Sequence, residues 1–387
     1  MSTSANTPDA PLRVLVAGGG VAALEAILAL RELAGDRASI TLLAPADEFV
    51  YRPLRVREPF AYPGARTYPL DEIARDLGIG RVADAFKWLD APAGVVHTEA
   101  GAALGYDALL LALGGRLHPA FTHGLTIDDR ILDEQLHGLI QDVEGGYVRS
   151  VAFVAPSPMP WPLPMYELAL MTARRAYDMQ TDVSVTIATP EDAPLAIFGS
   201  AVSDGVARLL DHEGIATITS AHSAVPAPGR VAIHPGGRIL DVDRVVALPR
   251  LYGPSAPGVP GGAPGGFIPI DPHCRVRGLE NVFAAGDATD FAIKHGGIAA
   301  QQADTAAEAI AALAGAPIEP RLFHPELRAI LLGADRPWYL SARVTGGHGT
   351  SSQISDEPLW SPPTKIAARY LAPYIQSLDR QLHRTLT

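Results

Sequence analysis

Apolar positions along this chain alternate between two periods, and the switches between them outline its elements. Residues 12–17 form a short, largely apolar run. Glycines follow, then an apolar pattern of helical period over 21–33, then a second buried-strand pattern over 39–43. Strand, glycine turn, helix and strand in that order predict a βαβ unit with a parallel sheet. From 81 to 113 the pattern predicts short strands at 82–89, 94–97 and 106–113, with no helix between them. This is a β-meander ending in a buried strand, stopped by Gly114-Gly115.

A second strand-helix-strand pattern begins at Val151. It predicts a strand at 151–155, a proline-rich loop at 156–164, a helix at about 165–177 and a strand at 183–188. The strings Ile40-Thr41-Leu42-Leu43-Ala44-Pro45 and Val185-Thr186-Ile187-Ala188-Thr189-Pro190 echo each other. Two related nucleotide-type units are the simplest account. Residues 256–266, rich in Gly and Pro, predict a loop or domain crossing. A buried strand at 281–285 ends at Gly286-Asp287, and an alanine-rich helix follows over about 297–314. The last sixty or so residues mix Pro, Trp and Tyr and close with a helix around 365–371, broken at Pro373.

Length and composition narrow the class. The 387 residues suffice for two or three domains. With 48% apolar and 19% charged residues, the chain suits a soluble protein with large cores rather than a disordered one. The formal charge of −11, without any block of Lys or Arg, argues against a nucleic-acid partner, which needs a basic surface. Residues 1–11 read as a short polar lead, not a secretory signal, and no run of eighteen apolar residues exists. A cytoplasmic location is the default expectation. The single cysteine, Cys274, excludes an internal disulfide, a CxxC pair and a cysteine-rich zinc site.

Gly18-Gly19-Gly20-Val21-Ala22-Ala23 fits the dinucleotide fingerprint GxGxxG/A. Gly18 permits the tight turn, Gly20 leaves room for a pyrophosphate, and Ala23 lets the helix pack on the sheet. The helix N-terminus then offers N–H groups and a positive dipole end to phosphate. The acid expected at the end of the second strand, to hold ribose hydroxyls, is missing: that position is Ala44. Asp47 and Glu48 lie slightly later and read as substitutes or as ordinary loop charges.

These motifs together resemble the FAD-dependent pyridine nucleotide-disulfide oxidoreductase superfamily. The resemblance rests on residues 18–23, on the segment 106–115, and on Asn281-Val282-Phe283-Ala284-Ala285-Gly286-Asp287. Phe49-Val50-Tyr51-Arg52-Pro53-Leu54 and Lys294-His295-Gly296-Gly297 look most like the type II NADH dehydrogenase and sulfide:quinone oxidoreductase branch. The resemblance implies an α/β, glutathione-reductase-like fold of two Rossmann-like domains. A discontinuous FAD domain would span 12–117 and 255–320, with an inserted NAD(P)-binding-like domain at 118–254 and a C-terminal cap or dimer segment at 321–387.

The resemblance also implies a cofactor site of Gly18, Gly20, Ala22, Ala23, Arg52, Ala112, Gly114, Gly286, Asp287 and Gly297. Asp287 matches the aspartate that bonds the ribityl chain, with a helix N-cap as its other reading. Lys294 matches a cation beside the isoalloxazine, suited to an anionic reduced flavin. His295 reads as a structural histidine or a proton donor. Glu167 matches a glutamate facing the nicotinamide, with an ordinary helix-surface glutamate as the plain alternative.

The chain departs from this family in two places. Where a second GxGxxG belongs, it has Pro156-Ser157-Pro158-Met159-Pro160-Trp161-Pro162-Leu163-Pro164, and prolines lack the N–H donors that cradle phosphate. Trp161 either lines a pocket over the flavin or packs the loop. Cys274 lies in no redox motif, so neither disulfide reduction nor sulfide oxidation is assigned. No HExxH, GxSxG or P-loop is present, and the twelve histidines show no metal-ligand spacing. Trp360-Ser361-Pro362-Pro363 could cover the flavin's other face. The tail at 366–378 suits interdomain packing better than membrane docking, because Pro373 interrupts it. The expected function is two-electron transfer from a reduced donor, NAD(P)H among the candidates, through FAD to a quinone or other small acceptor. A flavoenzyme with a non-nicotinamide substrate bound by the Pro/Trp loop and a redox-sensing flavoprotein without turnover are the rivals.

Overall fold

In the computed structural model, residues 10–385 are described, apart from 129, 334, 346 and 347. Most of the polar lead expected at 1–11 lies outside the described residues. Two five-stranded parallel sheets organise the rest. The first runs, across its width, Val282–Ala284, Ala108–Leu111, Leu12–Ala17, Ala38–Leu43 and Gly80–Val82. The second runs Leu125–Thr126, Arg244–Ala247, Ser150–Val154, Ser184–Ala188 and Ala216–Ile218. All eight pairings are parallel, as apolar strands buried on both faces require. The echo between residues 40–45 and 185–190 is therefore structural, because both strings leave the second strand of a βαβ unit.

Each unit also carries a three-stranded antiparallel meander. One is Phe86–Asp90, Val95–Thr98 and Ala103–Gly105; the other is His222–Ala227, Arg230–His234 and Arg238–Asp241. The single strand expected at 82–89 is thus two elements. Gly80–Val82 closes the parallel sheet, and the chain turns at Ala83–Ala85 before the meander begins.

The C-terminal third element was not legible as a sheet. Glu326–Leu331, Trp338–Thr345 and His348–Ser355 form an antiparallel sheet whose Leu327, Ala329, Leu331, Leu340 and Ala342 join the second unit's core. The helix expected at 365–371 begins instead at Leu371 and runs to Thr385. Pro373 falls in its first turn, where the missing N–H has no intrahelical partner to lose, so the proline starts the helix rather than breaking it. Its Leu371, Ala372 and Ile375 pack into the first unit's core. Tyr68 Oη donates to Asp379 at 2.9 Å and Tyr374 Oη to Asp76 at 2.8 Å, tying the helix to the same unit. No helix among the described residues is long and apolar enough to cross a membrane.

A buried pair of carboxyl groups anchors that helix. Glu25, on the helix Val21–Ala34, accepts the N–H groups of Tyr370 at 2.9 Å and Leu371 at 2.5 Å. Asp304, on the neighbouring helix Gly296–Leu313, hydrogen-bonds Glu25. Burial, then the charge of Glu25, pushes Asp304 up to about 8, with Arg369 opposing. Burial also raises Glu25, against the pull of the N–H donors. The pair therefore shares a proton at neutral pH. Beside it, Arg321 Nε holds Glu308 at 2.8 Å.

Asp304 takes a proton near 3.8 when unfolded and near 8 when folded, so the folded state holds a proton that the unfolded chain has released in between. This stability is fully present below the unfolded value and is lost as pH rises through about 8, at up to about 1.4 kcal/mol per pH unit. Urea unfolding at pH 5 and pH 8 should show that decline, and Asp304→Asn should flatten it. Equal pH dependence in the two proteins would contradict the shared proton.

Candidate functional site

The first corner of the site forms where Leu12–Ala17 leaves its sheet. Gly18 has φ +124°, and a Cβ there would sit 2.1 Å from the carbonyl oxygen of Ala112. Glycine is required because the turn crosses directly over the end of the neighbouring strand. Ala112 in turn donates its N–H to Ala17 at 2.8 Å, so the crossing is fixed from both sides. Gly19 packs on Ala44 and Leu70, where a Cβ would lie 3.1 Å from each. Gly20 differs: a Cβ would meet nothing within 4 Å. It is the N-cap of helix Val21–Ala34, which has no side-chain cap and no acidic residue in its first turn. The first-turn N–H groups and the positive dipole end thus face open space in front of Gly20, which suits a phosphate. Gly114, at φ +69°, lies three residues past the end of strand Ala108–Leu111, with open space at its own Cβ position.

The second corner follows strand Val282–Ala284. Gly286 has φ +80°, and a Cβ on it would lie 3.4 Å from the Ala22 Cβ and 3.3 Å from that of Ala299. The two glycine corners, far apart in sequence, are therefore in contact. Gly286 donates its N–H to Gln302 Oε1 at 2.8 Å, and Thr289 Oγ1 donates to the Gly286 carbonyl at 2.9 Å. Asp287 lies half-buried in the single turn Gly286–Ala288. It is not the cap of the long helix: that cap is His295, whose Nδ1 accepts the Gly297 N–H at 3.2 Å. A Cβ on Gly297 would sit 2.9 Å from His295 Cε1, so this glycine lets the imidazole fold back.

Lys294 curls over the same corner. Its Nζ donates to the carbonyls of Thr289 and Asp287, the latter at 3.3 Å, and lies 3.9 Å from the ring centre of Phe267. Burial lowers it to about 8, against the charges of Asp287 and Asp290. His295 is pushed down to about 4 by burial and then by the charge of Lys365. It is neutral at pH 7, and because Nδ1 accepts, Nε2 carries the proton. The ring of Trp161 packs at a tilt against His295, with ring centres 4.5 Å apart, and meets Phe198 at 5.8 Å. The Pro/Trp loop thus packs onto the start of the helix that carries Gly296 and Gly297.

Glu167 is neither a surface residue nor open to a ligand. Its carboxylate is fully buried, with Oε1 2.6 Å and Oε2 2.7 Å from Lys365 Nζ, and Oε1 accepts the Leu332 N–H at 2.9 Å. Lys365 also donates to the Pro53 carbonyl at 3.3 Å. Burial pushes Glu167 up and Lys365 down, and each charge pulls the other back. The pair joins the second unit's helix to the turn Arg52–Phe60 and to two points of the C-terminal segment, Leu332 and Lys365. Sequence reasoning missed Lys365, since nothing in its local pattern distinguishes it from a surface lysine.

The remaining candidates separate. Arg52 is exposed at the start of its turn and adds its charge to that of Arg130, which hydrogen-bonds Asp128 and holds that carboxyl low. Ala44 is fully buried, and Asp47, largely exposed, pairs with Arg81 Nη2 at 3.2 Å. Cys274 is buried, and burial pushes its thiol up, away from thiolate chemistry. Among the described residues, no cluster of His, Cys, Asp or Glu could hold a metal ion.

No family model matches the chain. Solved structures do. The sulfide:quinone oxidoreductase of Aquifex aeolicus is similar at 19% identity and a TM-score of 0.78, over 89% of this chain and 87% of that one. The ferredoxin reductase for the CYP199A2 system of Rhodopseudomonas palustris is similar at 17% identity and a TM-score of 0.64, over 86% and 83%. The NAD-dependent persulfide reductase of A. fulgidus is similar at 19% identity and a TM-score of 0.59, over 87% and 64%. With two parallel units, a meander in each and a C-terminal sheet, the chain shares its fold with these three solved structures.

Proposed function

We propose that this chain is an FAD-dependent oxidoreductase that moves two electrons from a reduced donor through the flavin to a small acceptor. One observation carries the reading: the uncapped helix behind Gly20 and the corner at Gly286 meet at Ala22, making one continuous lining for a long nucleotide. The residues present fit FAD. Gly18 lets the turn cross the strand end and Gly20 leaves the space for the pyrophosphate, which the first-turn N–H groups of Ala22 and Ala23 would bind. Ala112 and Gly114 lie on the adenosine side, and Gly286 and Asp287 on the ribityl side. Gly297 lies at the ring end of the site in this reading, where it makes room for the His295 imidazole. The discontinuous unit of 12–117 and 255–320 holds the cofactor in this reading, with 118–254 inserted and 321–387 as the cap.

Bound FAD would supply the two-electron chemistry. The chain's own part is electrostatic and steric. Lys294, held by two carbonyls over Phe267, places a positive charge beside Asp287 and favours a reduced, anionic ring. Glu167 acts indirectly, through Lys365, by fixing the C-terminal segment against both units. A quinone is the acceptor class that the similarity to a sulfide:quinone oxidoreductase supports.

The glycines separate packing from cofactor binding. Gly18→Ala should cost about 2 kcal/mol or more in chemical unfolding, through backbone strain and the clash with Ala112. Gly20→Val should change stability by about 1 kcal/mol at most yet lose FAD, because its side chain enters the phosphate space. Normal flavin content in a folded Gly20→Val protein would refute the phosphate assignment. Lys294→Met should lower the flavin midpoint potential by about 30 mV or more, the two-electron equivalent of about 1.4 kcal/mol. An unchanged potential would remove Lys294 from the flavin's surroundings.

A further inference from the structure

The second unit repeats the first closely enough for its departures to be read position by position. Gly18 donates to the Leu43 carbonyl at 2.8 Å, and Ala155 donates to the Ala188 carbonyl at 2.9 Å. Ala44 donates to Val82 at 3.1 Å, and Thr189 to Ile218 at 2.9 Å. Ala112 donates to Ala17 at 2.8 Å, and Leu248 to Val154 at 3.0 Å. Ala155 therefore stands where Gly18 does, and Thr189 stands where Ala44 does.

From these positions a dinucleotide site needs a tight turn, a helix N-terminus with available N–H groups, and an acid for the ribose. The turn is not tight. Three residues, 18–20, join strand to helix in the first unit, but eight, 155–162, do so in the second. The helix Leu163–Asp178 is also short of donors. Pro164 has no N–H, and Met165 spends its own on the Pro162 carbonyl at 3.0 Å. The acid exists but faces inward. Glu191, two residues past Thr189, accepts Tyr166 Oη at 2.7 Å and Thr189 Oγ1 at 3.0 Å on Oε2, and its Oε1 is shielded from solvent. Tyr166 is fully buried on that same helix, so the acid is held against the unit's own core. Finally, the lengthened loop lays Trp161 on His295, across the path from the second unit to the start of helix Gly296–Leu313.

We propose that the second unit is closed to dinucleotides, and that electrons reach the flavin from a donor with no nicotinamide nucleotide. The first half stands on the second unit alone; the second half rests on the flavin reading above. The loop at 155–162 and the Glu191–Tyr166 contact are then the features that set donor specificity.

The test uses the purified full chain with its flavin content measured first. Calorimetric titration with NAD⁺, NADP⁺ and ADP-ribose should give no saturable heat. Anaerobic mixing should bleach the flavin with dithionite, while NADH and NADPH bleach it no faster than free FAD in the same buffer. Saturable binding of any of the three nucleotides, or bleaching that saturates with NADH or NADPH, would overturn the proposal. A protein without flavin would defeat the flavin reading instead, and the calorimetric arm would still decide whether the second unit is closed.

Discussion

At Gly286, even a methyl group would press on Ala22 from one side and Ala299 from the other. Two alanine-rich helices, Val21–Ala34 and Gly296–Leu313, lie against each other at that point, on one parallel sheet. Small side chains allow the close approach. Larger ones would push the helices apart and separate the two glycine corners. The proposed cofactor lining therefore depends on this packing more than on any single polar contact.

Buried charge does a different job. Glu25 with Asp304, and Glu167 with Lys365, both tie the C-terminal segment to the body of the protein. The first pair receives the N-terminus of the last helix on helix Val21–Ala34. The second joins the second unit to the turn at Pro53. Removing one partner of a buried ion pair such as Glu167–Lys365 typically costs about 3–5 kcal/mol, because the other charge is stranded. The C-terminal sheet enters the second core while the C-terminal helix enters the first, so this segment sets how the two units meet.

Much of this was legible from the sequence where a pattern has a local cause. The strand ending at Ala17, the glycine turn and the helix from Val21 follow from periodicity and backbone sterics, and the structure places them as expected. What escaped depends on tertiary partners. The pattern at 82–89 reads as one strand because both halves are apolar, yet its halves belong to different sheets. Pro373 reads as a helix breaker only while the helix start is unknown. Glu167 carries no local mark of its partner, which lies 198 residues on. Glu191 is an ordinary loop acid until Tyr166 folds beneath it. The two units thus share the order of four parallel strands but not one chemistry, since the first keeps an open helix end and the second has covered its own.

The central claim is that the corners at Gly20 and Gly286 line one site for a single flavin nucleotide. Titrating the gently purified, folded protein with FAD, while following the visible spectrum, tests it most directly. The account predicts a yellow protein that saturates at one FAD per chain. A colourless chain that takes up no added FAD would contradict it.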